Sequence, residues 1–590
     1  MITNYIKKGS ALLLYLLLFC AAPLLQSCED FFDQESELII PADHEHLNNA
    51  VDTIYSLTGI LSKLEALGDR TILFGELRGD LVDYTSNADG DLVDIAQFNV
   101  NDSNRYNAPR DYYAVINNCN YYIEHADTAL KNNRNEYIFL REYAAVKAIR
   151  AWTYLQLVTT YGKVPFVLDP IMTEEDALKD YPQYDINQVC DYFTAEDGLQ
   201  DLADKGYPLY GDIRFLNSPL FFFPINIVLG DMYLWSGKYW EAAQCYHDYI
   251  MKRNGSNSAY PIGMEAVLWA SDDYDAETDI SYSSYITSMF MNEAYSTNGE
   301  LITMIPTDSL KSEANYSQLR NIFFSRTENE YEASAMPSQA LFELSAAQNF
   351  WDYDSRTMTY NLVPKNLSHY ADGDLRLTAV CKIYEDETYN GKKISNYIYN
   401  YKYNTRNIHI YRRTMIYLRL AEALNRAGYP LYAFKMLATG VDGDVLKEEI
   451  CPAYSQDSAL LVNNMNFSSD KYKVFTPSAS DRSKLNTIGI HMHGSGYVMG
   501  DTTFVIPQLA TLADSIEWVE DKLVDEMALE LCFEGTRFYD LMRVSMHRND
   551  PTYLANKVNA RNGKDSSSDI TVDLTNQSNW FLKWKGQIGY

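Results

Sequence analysis

Leu140-Arg141-Glu142-Tyr143-Ala144-Ala145-Val146-Lys147-Ala148-Ile149-Arg150-Ala151-Trp152-Thr153-Tyr154-Leu155 is the stretch whose periodicity decides the fold class. Ala145, Ala148, Ile149, Trp152 and Leu155 fall at i, i+3, i+4, i+7 and i+10, the spacing of one helix face. Arg141, Glu142, Lys147 and Arg150 lie mostly off that stripe, so the spacing predicts an amphipathic helix over 136–161. Gly162 and then Pro165 stop it. The same periodicity returns at 43–62, 110–131, 185–204, 219–235, 240–251, 412–427 and 516–533.

Between these blocks lie long stretches rich in aromatics, Asn, Ser and Asp: 68–109, 254–355 and 441–507. Loops beyond ~15 residues in a compact domain are usually functional or disordered, and the aromatics here argue against disorder. Short strands are expected inside them, for example at 301–305. One local pattern has a mechanism. Leu229-Gly230-x-x-Tyr233, then Gly237, Tyr239-x-x-Ala242 and Tyr246, follows the tetratricopeptide pattern. There, small residues let two helices cross closely while large ones fill the groove between hairpins. Leu418, Ala421, Leu424 and Gly428 with Ala433 look like a degenerate second copy. The fold class read from this is mainly α. It is a degenerate tetratricopeptide-like helix-hairpin scaffold, about 43–252 and 405–545, with long loop-rich insertions on the ligand side and a few short strands.

Composition excludes several partners. The 590 residues hold 80 Asp+Glu against 49 Lys+Arg, a net charge of −31. Such a chain repels phosphate backbones, which excludes nucleic acid, and it has no basic face for anionic lipid. It also argues against a highly acidic glycan as ligand unless a local basic cluster exists. Lys7-Lys8 precede the apolar run from Ala11 to Ala22, which is about half the ~20 residues that a membrane-spanning helix needs. This reads as an export signal. Leu25-Gln26-Ser27-Cys28 resembles a lipobox, with Cys28 the lipidated residue of the chain after removal of 1–27. Glu29-Asp30 resembles an acidic surface-export signal. Loss of Lys7 and Lys8 leaves 47 bases against 80 acids, a net of −33. The six later cysteines are scattered, without metal or disulfide spacing, and read as free thiols.

Four segments together resemble the SusD/RagB-like proteins, the outer-membrane nutrient-binding lipoproteins of Bacteroidetes. They are Leu140–Tyr154 running into Tyr161-Gly162-Lys163-Val164-Pro165, the hairpin at 229–246, and Arg413 to Gly428. The fourth is a C-terminal set of Glu526, Glu530-Leu531, Phe533-Glu534-Gly535, Arg537, Asp540-Leu541 and Arg543. Met527 stands where the family usually has Arg, and 580–590 lacks the family's Pro-rich run. The motif residues read as structural: Gly535 supplies a positive-φ cap, and Arg537 caps carbonyls or pairs with Asp540 or Glu530.

The resemblance implies a single SusD-like domain over 28–590, held to the outer membrane by its N-terminal lipid and facing the cell exterior. It implies a non-catalytic role: capture of an oligosaccharide (in some members a peptide) and delivery to a SusC-like TonB-dependent transporter. Sugars are bound by aromatic rings with Asp, Asn and Arg on loops held by a rigid scaffold. The insertions supply that mix, and the residues expected to touch ligand are Asp83, Tyr84, Tyr106, Trp269, Tyr274, Tyr282, Trp351 and Arg356. Trp152, Trp235 and Trp240 are expected in the helical core. The competing readings are peptide capture, a surface glycosidase and a tetratricopeptide adaptor. No GxSxG, HExxH or Walker A sequence is present. His491-x-His493 is a close histidine pair with no third ligand nearby. Asn87-x-Asp89-x-Asp91 begins like an EF-hand but continues with Leu92 and Phe98 where Gly and Glu belong. No cofactor is expected, and a loosely bound calcium has no assignable ligands.

Overall fold

Leu140–Tyr161 forms a single helix, and it is buried on almost every side rather than along one stripe. The computed structural model describes residues 53–213, 216–252, 290, 300–307, 316–354, 357–363, 373–389, 391–467, 489–496, 503–584 and 588. Lys147 and Arg150, off the apolar stripe, converge on buried Asp197 at 3.1 and 2.5 Å. A helix in the middle of a stack has no solvent side, so its charges persist only by pairing.

Among the described residues, four helix hairpins follow one another. Pro109–His125 packs on Leu140–Tyr161, Ile225–Trp235 on Tyr239–Lys252, Arg413–Arg426 on Pro430–Ala438, and Leu512–Leu531 on Arg537–Arg548. Leu140–Tyr161 touches Ile225–Trp235, Tyr239–Lys252 touches Arg413–Arg426, and Arg413–Arg426 touches Leu512–Leu531. Each pair buries its face on the next, which is helical-repeat geometry. The architecture is mainly α, and among the described residues the strands pair in twos. Gly230 shows why the hairpin pattern has a small residue: a Cβ there would lie 2.6 Å from the Tyr246 ring. The Tyr246 hydroxyl in turn donates to Asp231 at 2.6 Å.

Two expected helices are interrupted. Pro224 divides 219–235 into a 3-10 turn, Ser218–Phe221, and the helix Ile225–Trp235. Pro lacks the N–H that the helix would need, so it sits at the N-cap. In 185–204, a capping box at Asp185 and Gln188 starts Ile186–Asp191, a π-turn follows, and Gly198 at φ +69 ends it. That break is what turns Asp197 toward Arg150.

The stretch from 68, read as an insertion, begins with core. Gly68–Glu76 is a helix, and Glu76 accepts from the N–H of Phe533 at 3.0 Å and of Gly535 at 2.7 Å. Asp80 takes both sides of the Arg537 guanidinium, at 2.5 and 2.8 Å. Arg537 therefore pairs with Asp80 and the Val524 carbonyl, rather than with Asp540 or Glu530. Asp540 belongs to Arg543, which also holds Glu422. The strand expected at 301–305 forms as Leu301–Ile305 and pairs with Ile408–Arg412. That pairing brings Glu300 to Arg412, whose guanidinium also meets Glu530 and Glu534 at 2.9 and 2.7 Å. His491 and His493 are buried against Glu526 and Glu530, at 3.0 and 3.2 Å, so the histidine pair serves this charge network.

His547 gives the fold a pH dependence. Both its ring nitrogens are sealed from solvent, and burial with nearby Arg543 pushes its pKa down to about 3. As pH falls below about 6.5 the unfolded chain takes up a proton that the folded chain refuses, so this contribution to stability is lost on acidification toward the folded value. His547→Gln should flatten the pH slope of unfolding free energy between pH 6.5 and 4, by about 1.4 kcal/mol per pH unit. Urea titrations of both proteins at pH 4, 5, 6 and 7 check this; parallel slopes would refute it.

Candidate functional site

The segment that carries Glu76 and Asp80 also sends Arg78 the other way. Arg561 fixes it by donating to the carbonyls of Leu77, Gly79 and Ala96 at 2.8, 3.0 and 3.1 Å. Arg78 itself is buried, donates to the Trp580 carbonyl, and stacks over the Phe538 ring at 3.9 Å. Phe98 lies beside it at 5.3 Å and packs on Phe538 at 5.7 Å, with its backbone at φ +61, a conformation uncommon outside glycine. Positive-φ backbone at such a residue persists only where its surroundings hold it.

These residues wall a cavity of 660 Å³. Its lining includes Arg78, Phe98, Asn99, Asn101, Asn579 and Phe581, with Asp102 and Lys583 also contributing. The loop side is rigid: Asn101 accepts from the Ser103 N–H and hydroxyl at 2.9 and 2.6 Å. Asn107 ties the loop to the C-terminal segment through the carbonyls of Asn101 and Lys583. Phe581 packs against Gly162, where a Cβ would lie 2.7 Å from its ring. The volume falls within the ~300–1,000 Å³ of small-molecule sites, and a lining that mixes rings with asparagines suits hydroxylated ligands, with Asn579 Nδ2 already donating to the Asp573 carbonyl at 2.8 Å. A 70 Å³ internal cavity at Asp231 is filled with pairing: Arg419, Tyr246 and Tyr411 all bind that carboxylate.

Solved structures of similar architecture exist. A SusD-like carbohydrate binding protein from Bacteroides fragilis is 14% identical with a TM-score of 0.52, over 87% of this chain and 88% of its own. A SusD superfamily protein from Bacteroides thetaiotaomicron is 18% identical with a TM-score of 0.52, over 88% and 95%. Another from the same species is 14% identical with a TM-score of 0.51, over 90% and 93%. This chain has the SusD fold. No protein-family model matches it, and no curated protein matches it by sequence.

On this SusD scaffold the expected ligand residues are placed as follows. Asp83 and Tyr84 lie on the strand Val82–Tyr84, paired with Ala335–Pro337. Burial raises the Asp83 pKa against the pull of Arg561. The Tyr84 hydroxyl bonds Asp569 at 2.9 Å and Gln97 at 3.0 Å, beside the turn into Phe98. Tyr106, at the far end of the same loop, is only 6% exposed; Arg105 covers its ring at 4.8 Å and binds its hydroxyl. These three flank the cavity loop. Trp351 is half-buried on a separate hairpin, Phe350–Asp354 with Thr359–Val363, and does not line the cavity. Trp269, Tyr274, Tyr282, Arg356 and Cys28 lie outside the described residues. Asp89 caps the helix Gly90–Ala96 and pairs with Arg105 at 2.5 Å, so that carboxylate is already engaged. Arg78, Phe98 and Phe581 were missed. The sequence signal for Arg78 was a cation between two core acids, Glu76 and Asp80, with no acid left for it.

Proposed function

We propose that this protein is a cell-surface lipoprotein that binds oligosaccharide without transforming it and passes it to a TonB-dependent transporter of the SusC type. The observation that carries the reading is the 660 Å³ cavity, where Phe98 and Phe581 offer rings and Asn99, Asn101 and Asn579 offer hydrogen bonds. The SusD fold and its likeness to a carbohydrate binding protein support it. Export through residues 1–27, a lipid on Cys28, a single domain over 28–590 and an outer-membrane location belong to the same proposal. No helix among the described residues is long and apolar enough to cross a membrane.

Calorimetric titration with neutral and acidic oligosaccharides tests this function. Binding in the micromolar range is expected, with no product released from a pure glycan. Phe98→Ala should weaken binding about tenfold, since one lost ring contact is worth ~1–1.5 kcal/mol. Trp351→Ala and Trp269→Ala report whether the second insertion contributes. Hydrolysis by the purified protein would overturn the reading, and so would silence across the whole panel.

A further inference from the structure

Arg376, Arg412, Arg537 and Arg543 are buried with at least one acid within 3 Å, and buried Arg561 spends its guanidinium on three carbonyls. Arg78 is different. It is 1% exposed, and its Nε and Nη1 have no hydrogen-bond partner. Burial pushes its pKa down to about 10, and the groups pulling it back up are the tyrosines Tyr539 and Tyr161 rather than any carboxylate. A guanidinium carries five donors, and a buried charged donor without a partner is costly enough to need an explanation. The explanation lies in position: Arg78 is in the wall of the cavity, beside the Phe98 ring, and exposed Lys583 contributes to the same lining.

We propose that the cavity takes an acidic saccharide, one bearing a carboxylate or a sulfate, whose oxyanion is held by Arg78 with Lys583 at the rim. The proposal rests on reading the cavity as a saccharide site. Arg78 itself is buried, so screening at its guanidinium is small and a positive charge with no internal acid favours an anion brought beside it. Nε and Nη1 are sealed in the unliganded protein, so the ligand reaches them only when the wall beside Phe98 moves, and they then serve as charge-assisted donors. Asp102 also lines the cavity and is exposed, so it sets a limit on how many negative charges the ligand can carry. The strongly acidic surface makes the selection local: only a ligand whose charge reaches this pocket gains.

The test uses the full chain and three probes by calorimetry: oligogalacturonate, a sulfated galactan oligosaccharide and a neutral malto-oligosaccharide. At least one acidic probe should bind tenfold or more tightly than the neutral one, and that advantage should shrink as salt rises from 50 to 500 mM. Comparing the two acidic probes separates carboxylate from sulfate. Arg78→Met should abolish the advantage, and Lys583→Glu, at an exposed position, should reduce it several-fold. If Arg78→Met fails to fold by near-UV circular dichroism, Lys583→Glu and the salt series decide. Equal binding of neutral and acidic probes, sensitive to Phe98→Ala but not to Lys583→Glu or salt, overturns this inference and leaves the saccharide reading standing. No binding of any probe overturns both.

Discussion

Arg412→Ala should cost the protein roughly 3–5 kcal/mol or prevent it from folding, the range for breaking a buried ion pair from one side. Arg412 is 1% exposed and its guanidinium serves Glu300, Glu530 and Glu534 together with the Glu530 carbonyl. Removing it leaves three buried carboxylates short of the cation they share, with Arg413 remaining on Glu300, Arg376 on Glu530 and Lys402 on Glu534. Against a typical total of ~5–15 kcal/mol, that is a large share of all the stability available. Arg412→Lys keeps the charge but not the planar fork, and should recover less than half of the loss. Urea unfolding followed by circular dichroism measures both. A change below about 1 kcal/mol for the alanine variant would mean that the network contributes nothing as a unit.

The second large effect is steric. At Gly75 an added Cβ would lie 1.7 Å from the Gly535 carbonyl oxygen and 2.3 Å from its carbon, and neither side can rotate away because both are backbone. Gly75→Ala must separate the helix Gly68–Glu76 from the turn at 533–535, and with it break the two N–H bonds to Glu76. Hydrogen bonds to charged groups are worth ~1.5–3 kcal/mol each, so a loss of about 4 kcal/mol is expected. Gly59→Ala is the matched control: it lies in the helix Thr53–Glu65 with nothing within 4 Å of the new methyl. It should leave stability unchanged or raise it by up to ~1 kcal/mol. Equal behaviour of the two variants would refute the close-approach argument.

What the sequence made legible follows from how local each signal is. The helices of the stack, the strand Leu301–Ile305 and the crossing glycine Gly230 all announce themselves within a dozen residues. Arg537 was correctly read as structural, yet its partner Asp80 is 457 residues away and leaves no pattern near it. The stretch from 68 reads as insertion, although Gly75 lies against the Gly535 carbonyl and Gly79 against the Arg537 side chain inside the core. His491 and His493 resembled half of a metal site because spacing alone does not reveal that Glu526 and Glu530 face them. For the site, the search for Tyr and Trp overlooked Phe98 and Phe581, and the C-terminal segment drew notice only for what it lacked. Cavity walls assembled from residues near 100 and near 580 have no sequence period to find.

The contact between Glu76 and Gly535 spans 459 residues, and it is made by one of the first described helices with one of the last. A chain still emerging from the ribosome cannot make it, so Glu76, Arg78 and Asp80 have no reason to leave water until synthesis is nearly complete. Contacts of such long sequence separation also slow folding, because loop closure precedes any reward. The core around Glu76 and Gly535 therefore closes only once the final sixty residues are present, whichever local hairpins have formed before. On the export proposed above, late closure would leave the step that completes the fold for the far side of the membrane.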